Sequence, residues 1–204
     1  MSLYVKSSSK LSRSVGEKLF LKGSRDDSAK NAMTRRPYGP GQHGQSRHGK
    51  PSNYAKQLKE KQKARYVYNC SERQLRRFFK IASRSRGNTG ERLLQILESR
   101  IDNIVYRSGF ADSRRQATQI VSHGHILLNG RKVTTPSILL KPKDIIKVTK
   151  NINQDESPKK PEMPGWLKVD NKKLSAQLVA YPGRIQITTP LEEQLIVEYY
   201  SRLI

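Results

Sequence analysis

Two residues, Asn129-Gly130, constrain this chain more tightly than any others. Between apolar runs that pair favours a two-residue hairpin turn whose central residues both take positive φ. Ile126-Leu127-Leu128 before it and Arg131-Lys132-Val133 after it read as the paired strands. Upstream, Ser113-Arg114-Arg115-Gln116 has the spacing of a capping box, which predicts a helix start. Ala117, Ile120 and Val121 share one face of that helix, which leaves Arg114, Arg115, Thr118 and Gln119 outward; Gly124 ends it. Lys141-Pro142-Lys143-Asp144 then turns the chain into a further strand, Ile145-Ile146-Lys147-Val148. The stretch from Ala111 to Val148 is thus a short capped helix beside a small hairpin, with cations on both.

Charge says what such a unit faces. The 204 residues carry a formal charge of +23, and only 34% are hydrophobic, a lean supply for a large core. Residues 1–90 hold 22 Lys/Arg against 5 Asp/Glu, residues 91–150 hold 11 against 5, and residues 151–204 hold 7 against 7. So much like charge repels itself unless something neutralises it, so a polyanion is expected against the first three-quarters. The neutral last quarter is expected to face something else. One cysteine rules out an intramolecular disulfide, and Cys70 reads as a small apolar residue. No apolar run approaches the ~18 residues of a membrane span. The first sixteen residues, basic, serine-rich and free of acids, mimic an organelle transit peptide.

Ser52 or Asn53 is expected to start a helix through about Tyr66, with Tyr54, Ala55 and Leu58 as its main core candidates. Its five cations, Lys56, Lys59, Lys61, Lys63 and Arg65, meet only Glu60, which reads as an RNA-facing helix. Tyr54 and Gln57 could add stacking and hydrogen bonds. A second capping box, Ser71-Glu72-Arg73-Gln74, opens a helix with Leu75, Phe78, Phe79 and Ala82 as core stripe; Arg73, Arg76, Arg77 and Arg84 take the remaining surface. Asn88 or Thr89 caps the next helix, which carries Leu93, Leu94, Ile96 and Leu97. Between Arg35 and Gly44, two prolines and three glycines forbid helix and central strand. That loop can bring its backbone close to phosphates, with Arg35, Arg36, Gln42 and His43 as donors. Asn151 to Pro164 is a polar, proline-rich connection. Trp166 follows as an aromatic anchor, with strands expected around Leu178–Ala180 and Arg184–Ile187.

Arg100-Ile101-Asp102-Asn103-Ile104-Val105-Tyr106-Arg107-Ser108-Gly109-Phe110-Ala111, then Ser113-Arg114 and His123-Gly124-His125-Ile126-Leu127-Leu128-Asn129-Gly130, resemble the RNA-binding domain named after the fourth protein of the bacterial small ribosomal subunit. That domain also occurs in RNA-modifying enzymes and at the end of a tRNA synthetase. Pro40-Gly41-Gln42-His43-Gly44 and the ending Glu193–Arg202 resemble the ribosomal family itself. The resemblance covers nearly the whole chain and is weakest before Arg13 and between Asn151 and Glu162. Because it begins by about Arg13 and Gly16, no removable leader is expected.

The fold expected on these grounds is α+β. A basic arm and loop (residues 1–50) and a basic helical region (51–93) precede a helix-and-hairpin RNA-binding domain (94–152). A neutral C-terminal segment (153–204) is expected to pack on the helical region or on a neighbouring protein. Many members of the family hold zinc with four arm cysteines. Ser9, Ser12, Asp26 and Asn31 stand at those positions here, and His43 and His48 make a poor substitute, so no metal or other cofactor is expected.

The resemblance further implies direct binding to small-subunit ribosomal RNA at a helix junction in its 5′ domain, early in assembly. It implies contact with small-subunit proteins five and three near the messenger entry, transient contact with messenger RNA, an influence on decoding accuracy, and residence on the cytoplasmic ribosome rather than an organellar one. The expected RNA-binding residues are Arg13, Lys22, Arg35, Arg36, Gln42, His43, Arg47, Lys50, Tyr54, Lys56, Lys59, Lys63, Arg65, Arg73, Arg76, Arg77, Arg107, Arg114, Arg115, His123 and Lys132. Alternatives are an RNA-modifying enzyme with an appended domain of this type, or a regulator of its own messenger. The enzyme lacks support: outside residues 91–150 the sequence shows no carboxylate pair on a plausible pocket, no metal-ligand set and no phosphate-cradling glycine loop with its lysine. Replacing Arg114 and Arg115 together is expected to spare folding, and truncation after Asp170 to spare RNA affinity.

Overall fold

The computed structural model describes residues 7–23, 26, 28–29, 31–46, 49–149 and 163–203. The chain forms two compact units, Met1–Leu93 with Thr189–Ile204, and Leu94–Thr188.

The first unit is helical. Helix α1 (Ser8–Val15) is capped by Ser7 and buries Leu11 and Val15; the short α2 (Ala32–Arg35) is capped by Asn31. Ser52 caps α3 (Asn53–Val67) by accepting from the Ala55 amide. In α4 (Glu72–Arg84) both halves of the Ser71/Gln74 capping box form, and Leu75, Phe78, Phe79 and Ala82 are buried as their spacing requires. Asn88 starts α5 (Thr89–Glu98) by accepting from the Gly90 and Glu91 amides. The inner face of α3 departs from expectation. Tyr54 is 52% exposed, and the buried positions are Gln57, Glu60, Lys61, Lys63, Ala64 and Val67.

Two of those buried polar groups, Gln57 and Glu60, are met by the end of the chain, which returns to them. The last helix, α8 (Glu193–Ser201), buries Ile196, Tyr199 and Tyr200. Gln57 Nε2 donates to Glu198 Oε2 at 2.8 Å, and the Glu192 amide donates to Glu60 Oε1 at 2.9 Å. The Tyr200 ring stacks on Phe79 at 4.9 Å and its hydroxyl donates to Glu72 Oε1 at 2.8 Å. Burial pushes the Glu72 carboxyl up, but hydrogen bonds from Lys61 and Tyr200 and the charges of Lys61 and Arg65 outweigh it and hold the group below its ordinary value. Burial and the same carboxylate raise the Tyr200 phenol well above its ordinary range.

The second unit joins two helices to an antiparallel sheet. Helices α6 (Ile101–Arg107) and α7 (Arg114–Ser122) precede strands β1 (Ile126–Leu128), β2 (Arg131–Val133), β3 (Ile145–Val148), β4 (Leu167–Asp170) and β5 (Ser175–Leu178). Their order across the sheet is β2-β1-β3-β5-β4. Asn129 and Gly130 both have positive φ, 48° and 83°, as the two-residue hairpin demands. Asn129 does more than turn: its Oδ1 accepts from the Ile145 amide and its Nδ2 donates to Asp144, which ties the hairpin to β3. Ile104, Phe110, Ala117, Val121, Ile126, Ile146, Trp166 and Leu178 belong to one core.

Three expectations change here. The Ser113 hydroxyl accepts from the Gln116 amide, but Gln116 Oε1 accepts from the Asp112 amide rather than from Ser113, so the reciprocal half of the cap lies one residue upstream. The expected strand at Leu178–Ala180 lies earlier, at Ser175–Leu178, and Arg184–Gln186 is a 3-10 turn after Pro182-Gly183. The turn before β5 has no glycine: Asp170 Oδ1 accepts from the Lys172 and Lys173 amides, and Leu174 takes φ 47°. The neutral last quarter also does not stay together, since β4 and β5 extend the sheet of the second unit while α8 closes the first. Residues 150–162 of the proline-rich connection lie outside the described residues.

Truncation after Asp170 therefore attacks both units, contrary to the expectation from charge. It removes β5, which lies between β3 and β4, and all of α8. Denaturant melts of the chain ending at Asp170 should show no cooperative transition comparable to that of the full chain.

Candidate nucleic-acid interface

On α4 the cations form a stripe. Arg73, Arg76, Arg77, Lys80 and Arg84 are all exposed and, at 100° per residue, fall within an arc of about 100°. They lie opposite the buried Leu75, Phe78, Phe79 and Ala82 and extend along about 16 Å of helix axis. Among the described residues none of the five is in an ion pair. Arg86, just beyond the helix, is exposed as well. Lys80, Arg84 and Arg86 were not among the expected binding residues; continuing the i, i+3, i+4 pattern from Arg73 would have found the first two.

Elsewhere in the first unit Lys22, Arg35, Arg36, Gln42, His43, Lys50, Tyr54, Lys56 and Lys59 are exposed. Tyr54 lies 5.8 Å from the Tyr199 ring, and its phenol is raised chiefly by the hydrogen bond with Tyr199. Arg47 lies outside the described residues, as does His48. In the second unit His123 and Lys132 are exposed. Lys147 shares the open face of the sheet with Lys132, since both pair with Leu127 across β1. The alternation in β3, with Ile146 and Val148 buried, was the signal for Lys147.

Several expected contacts are instead internal. Lys63 shares a helical face with Lys56 and Lys59, yet it is buried because Glu17, after α1, reaches it at 2.6 Å; Glu60 is 3.5 Å away. Arg65 pairs with Glu72 at 3.2 Å and donates to Gln62, while Lys61 lies 3.0 Å from Glu72 and 4.6 Å from the centre of the Tyr199 ring. Arg107 grips Glu98, the fully buried last residue of α5, through Nε and Nη2, and its Nη1 donates to Thr188. Asn103 donates to the same Glu98 carboxylate, and Arg100 and Asp102 form a second buried pair at 2.7 Å. Arg114 is not a free surface arginine: its Nε donates to Asn103 Oδ1 at 2.8 Å and its guanidinium lies 4.5 Å from the centre of the Tyr106 ring. Thr118, also expected outward, donates to Asp102. Arg115 is half-buried. Arg13 is held by the backbone carbonyls of Tyr38 and Gly39.

The four arm positions do not fit zinc, which needs good soft or imidazole donors. Asn31 uses both ends of its amide, donating to the Asp26 carbonyl at 2.6 Å and accepting from the Met33 amide at 2.8 Å. The Asp26 carboxylate accepts from the Lys22 amide, and Lys22 Nζ donates to Ser9. Ser12 is buried in α1. Hydrogen bonds thus link three of the four positions directly or through Lys22. No helix among the described residues is long and apolar enough to cross a membrane.

Residues 4–98 match the ribosomal protein S4/S9 N-terminal domain family, and residues 99–146 match the S4 domain family. The chain is similar to proteins named small ribosomal subunit protein uS4. It is 49% identical to that of Syntrophomonas wolfei and 47% identical to that of Thermus thermophilus, in each case over 99% of this chain and 100% of the relative. The relative from Gloeobacter violaceus is 50% identical over 95% of this chain and 96% of its own length.

The two kinds of arginine should separate in stability measurements. Arg114→Ala removes a charge-assisted hydrogen bond and should cost about 1.5–3 kcal/mol. Arg76→Ala with Arg77→Ala should change stability by no more than about 0.5 kcal/mol each, because neither side chain packs. Denaturant melts of the two variants check both values.

Proposed function

The chain belongs to the small ribosomal subunit protein uS4 family, and from that membership we propose that it is a structural constituent of the small ribosomal subunit that binds small-subunit ribosomal RNA directly. The family is structural, and the chain is not an enzyme. The observation that carries the RNA reading is the cationic stripe of α4. Five exposed charges on one helical face, without internal carboxylates, leave their neutralisation to an outside polyanion. The exposed loop before α3 and the hairpin face of the second unit add donors of the kinds that contact phosphate and sugar, namely Arg35, Arg36, Gln42, His43, Lys132 and Lys147.

The finer reading follows the family resemblance. The RNA site is a helix junction in the 5′ domain, bound early in assembly. The neighbours are small-subunit proteins five and three at the messenger entry, with transient contact to messenger RNA and an influence on decoding accuracy. The site residues proposed from the structure are the exposed ones, led by Arg73, Arg76, Arg77, Lys80 and Arg84. Lys63, Arg65 and Arg107 leave the set because carboxylates of this chain already hold them. Metal has no part in holding the arm.

Affinity for a transcript of the 5′ domain should fall by about three to five orders of magnitude between 50 and 200 mM salt if roughly 6–10 phosphates are contacted. Arg76→Ala with Arg77→Ala should lower the slope of log affinity against log salt by about two. A flat line for the full chain would refute the electrostatic reading. Elemental analysis of purified protein should find no stoichiometric zinc, and a chelator should leave the protease resistance of the arm unchanged.

A further inference from the structure

The loop from Pro37 to Ser46 is built to hold one shape. Gly44 donates its amide to Gly41 at 3.2 Å, and Ser46 donates to His43 at 3.1 Å. Gly41 takes φ 98°, which a side chain would disfavour, although nothing lies close to it. Gly44 is fixed by space rather than by φ, because a Cβ there would collide with the Gly39 carbonyl. Arg13, on α1, closes the loop from one side: its Nε donates to the Tyr38 carbonyl and its Nη2 to the Gly39 carbonyl, both at 2.9 Å. The same guanidinium lies 4.9 Å from the centre of the Tyr38 ring. Gln42 and His43 stand exposed at the far end of the loop.

We propose that Arg13 is a positioning residue for RNA recognition, acting through the shape of this loop and not through its own charge. The proposal rests on the RNA-binding reading above and specifies how one part of that surface works. Two donors of a planar fork meet adjacent carbonyls while one face lies towards an aromatic ring. A lysine keeps the charge but supplies neither the fork nor the stacking plane. A glycine- and proline-rich loop left unclamped must be ordered when RNA arrives, and that ordering weakens binding. The clamp removes the cost in advance and aims the Gln42 amide and the His43 imidazole outward together.

The test uses the full chain and a 5′-domain transcript of small-subunit ribosomal RNA. Arg13→Lys, Arg13→Gln, Gly44→Ala and the tip variant Gln42→Ala with His43→Ala are compared, alone and with Arg13→Lys or Gly44→Ala added to the tip variant. Affinity is measured across a salt series, loop amide exchange by mass spectrometry, and folding by melts. Arg13→Lys and Arg13→Gln should each lose about tenfold in affinity, with the salt slope unchanged and faster exchange at residues 38–46. In the tip variant, Arg13→Lys should cost nothing further, the non-additivity expected of groups acting through one element. A slope reduced by about one in Arg13→Gln and kept in Arg13→Lys would mean direct phosphate contact and overturn the proposal. Additive losses would overturn it as well. If the Arg13 variants melt poorly, Gly44→Ala decides, because it disturbs the loop without touching α1. Tip-dependent loss supports the proposal and unchanged affinity refutes it. Failure of the unmodified chain to bind the transcript would instead refute the RNA-binding reading on which the proposal rests, and is told apart by that control.

Discussion

A chain with 40 cations and 17 acids can close a core only if the cations that fall inside it find carboxylates. Most of the structure follows from that constraint. Glu98, fully buried, holds Arg107 and Asn103; Asp102 holds Arg100; Glu17 and Glu60 hold Lys63; Glu72 holds Lys61 and Arg65. Breaking a buried pair by removing one partner costs about 3–5 kcal/mol, far more than any exposed charge contributes. Acids are few, and those that sit among packed elements leave the outer faces to arginine and lysine. The unpaired stripe on α4 is the remainder of that arrangement, and electrostatics at the surface is set by neutralisation within.

This explains which parts of the molecule were legible in the chain. Local signals were read well: the Asn129-Gly130 turn, the Ser71/Gln74 box and the apolar stripe of α4 depend on residues within a few positions of one another. The misassigned cations depend on partners from other elements. Lys63 looks exposed on its own helix, and only the arrival of Glu17 buries it. Arg114 has the sequence context of a helix-start surface residue, but Asn103 and Tyr106 of α6 engage it. Arg13 and Tyr38 are twenty-five residues apart. Periodicity records which face a residue takes, and it is silent on what comes to cover that face.

The tail divides for a related reason. It was expected to pack on the helical region or on a neighbouring protein; α8, with Glu192, Glu193 and Glu198, lies on the helical region, while β4 and β5 join the sheet of the second unit. A neutral average concealed acids placed near particular partners. The strands preceding that segment were misplaced because Asp170 makes their turn with its side chain, where glycine or proline would have announced it.

The discontinuity of the first unit has a consequence for the order in which the molecule is made. Synthesis runs from the amino end, so Leu94–Thr188 has left the peptidyl centre, with every strand of its sheet, before Thr189 is added. That unit needs no residue made after Thr188. The first unit, although begun earlier, lacks Ile196 and Tyr200 until the residues after Thr189 emerge, and the Phe79 ring face and Glu72 Oε1 lack their Tyr200 partner until then. The length of the intervening segment adds little to the cost of joining its ends, only about 0.6 kcal/mol per doubling, because the entropy of closing a loop grows with the logarithm of its length. What the arrangement imposes is a sequence in time: the part of the chain born first is the part completed last.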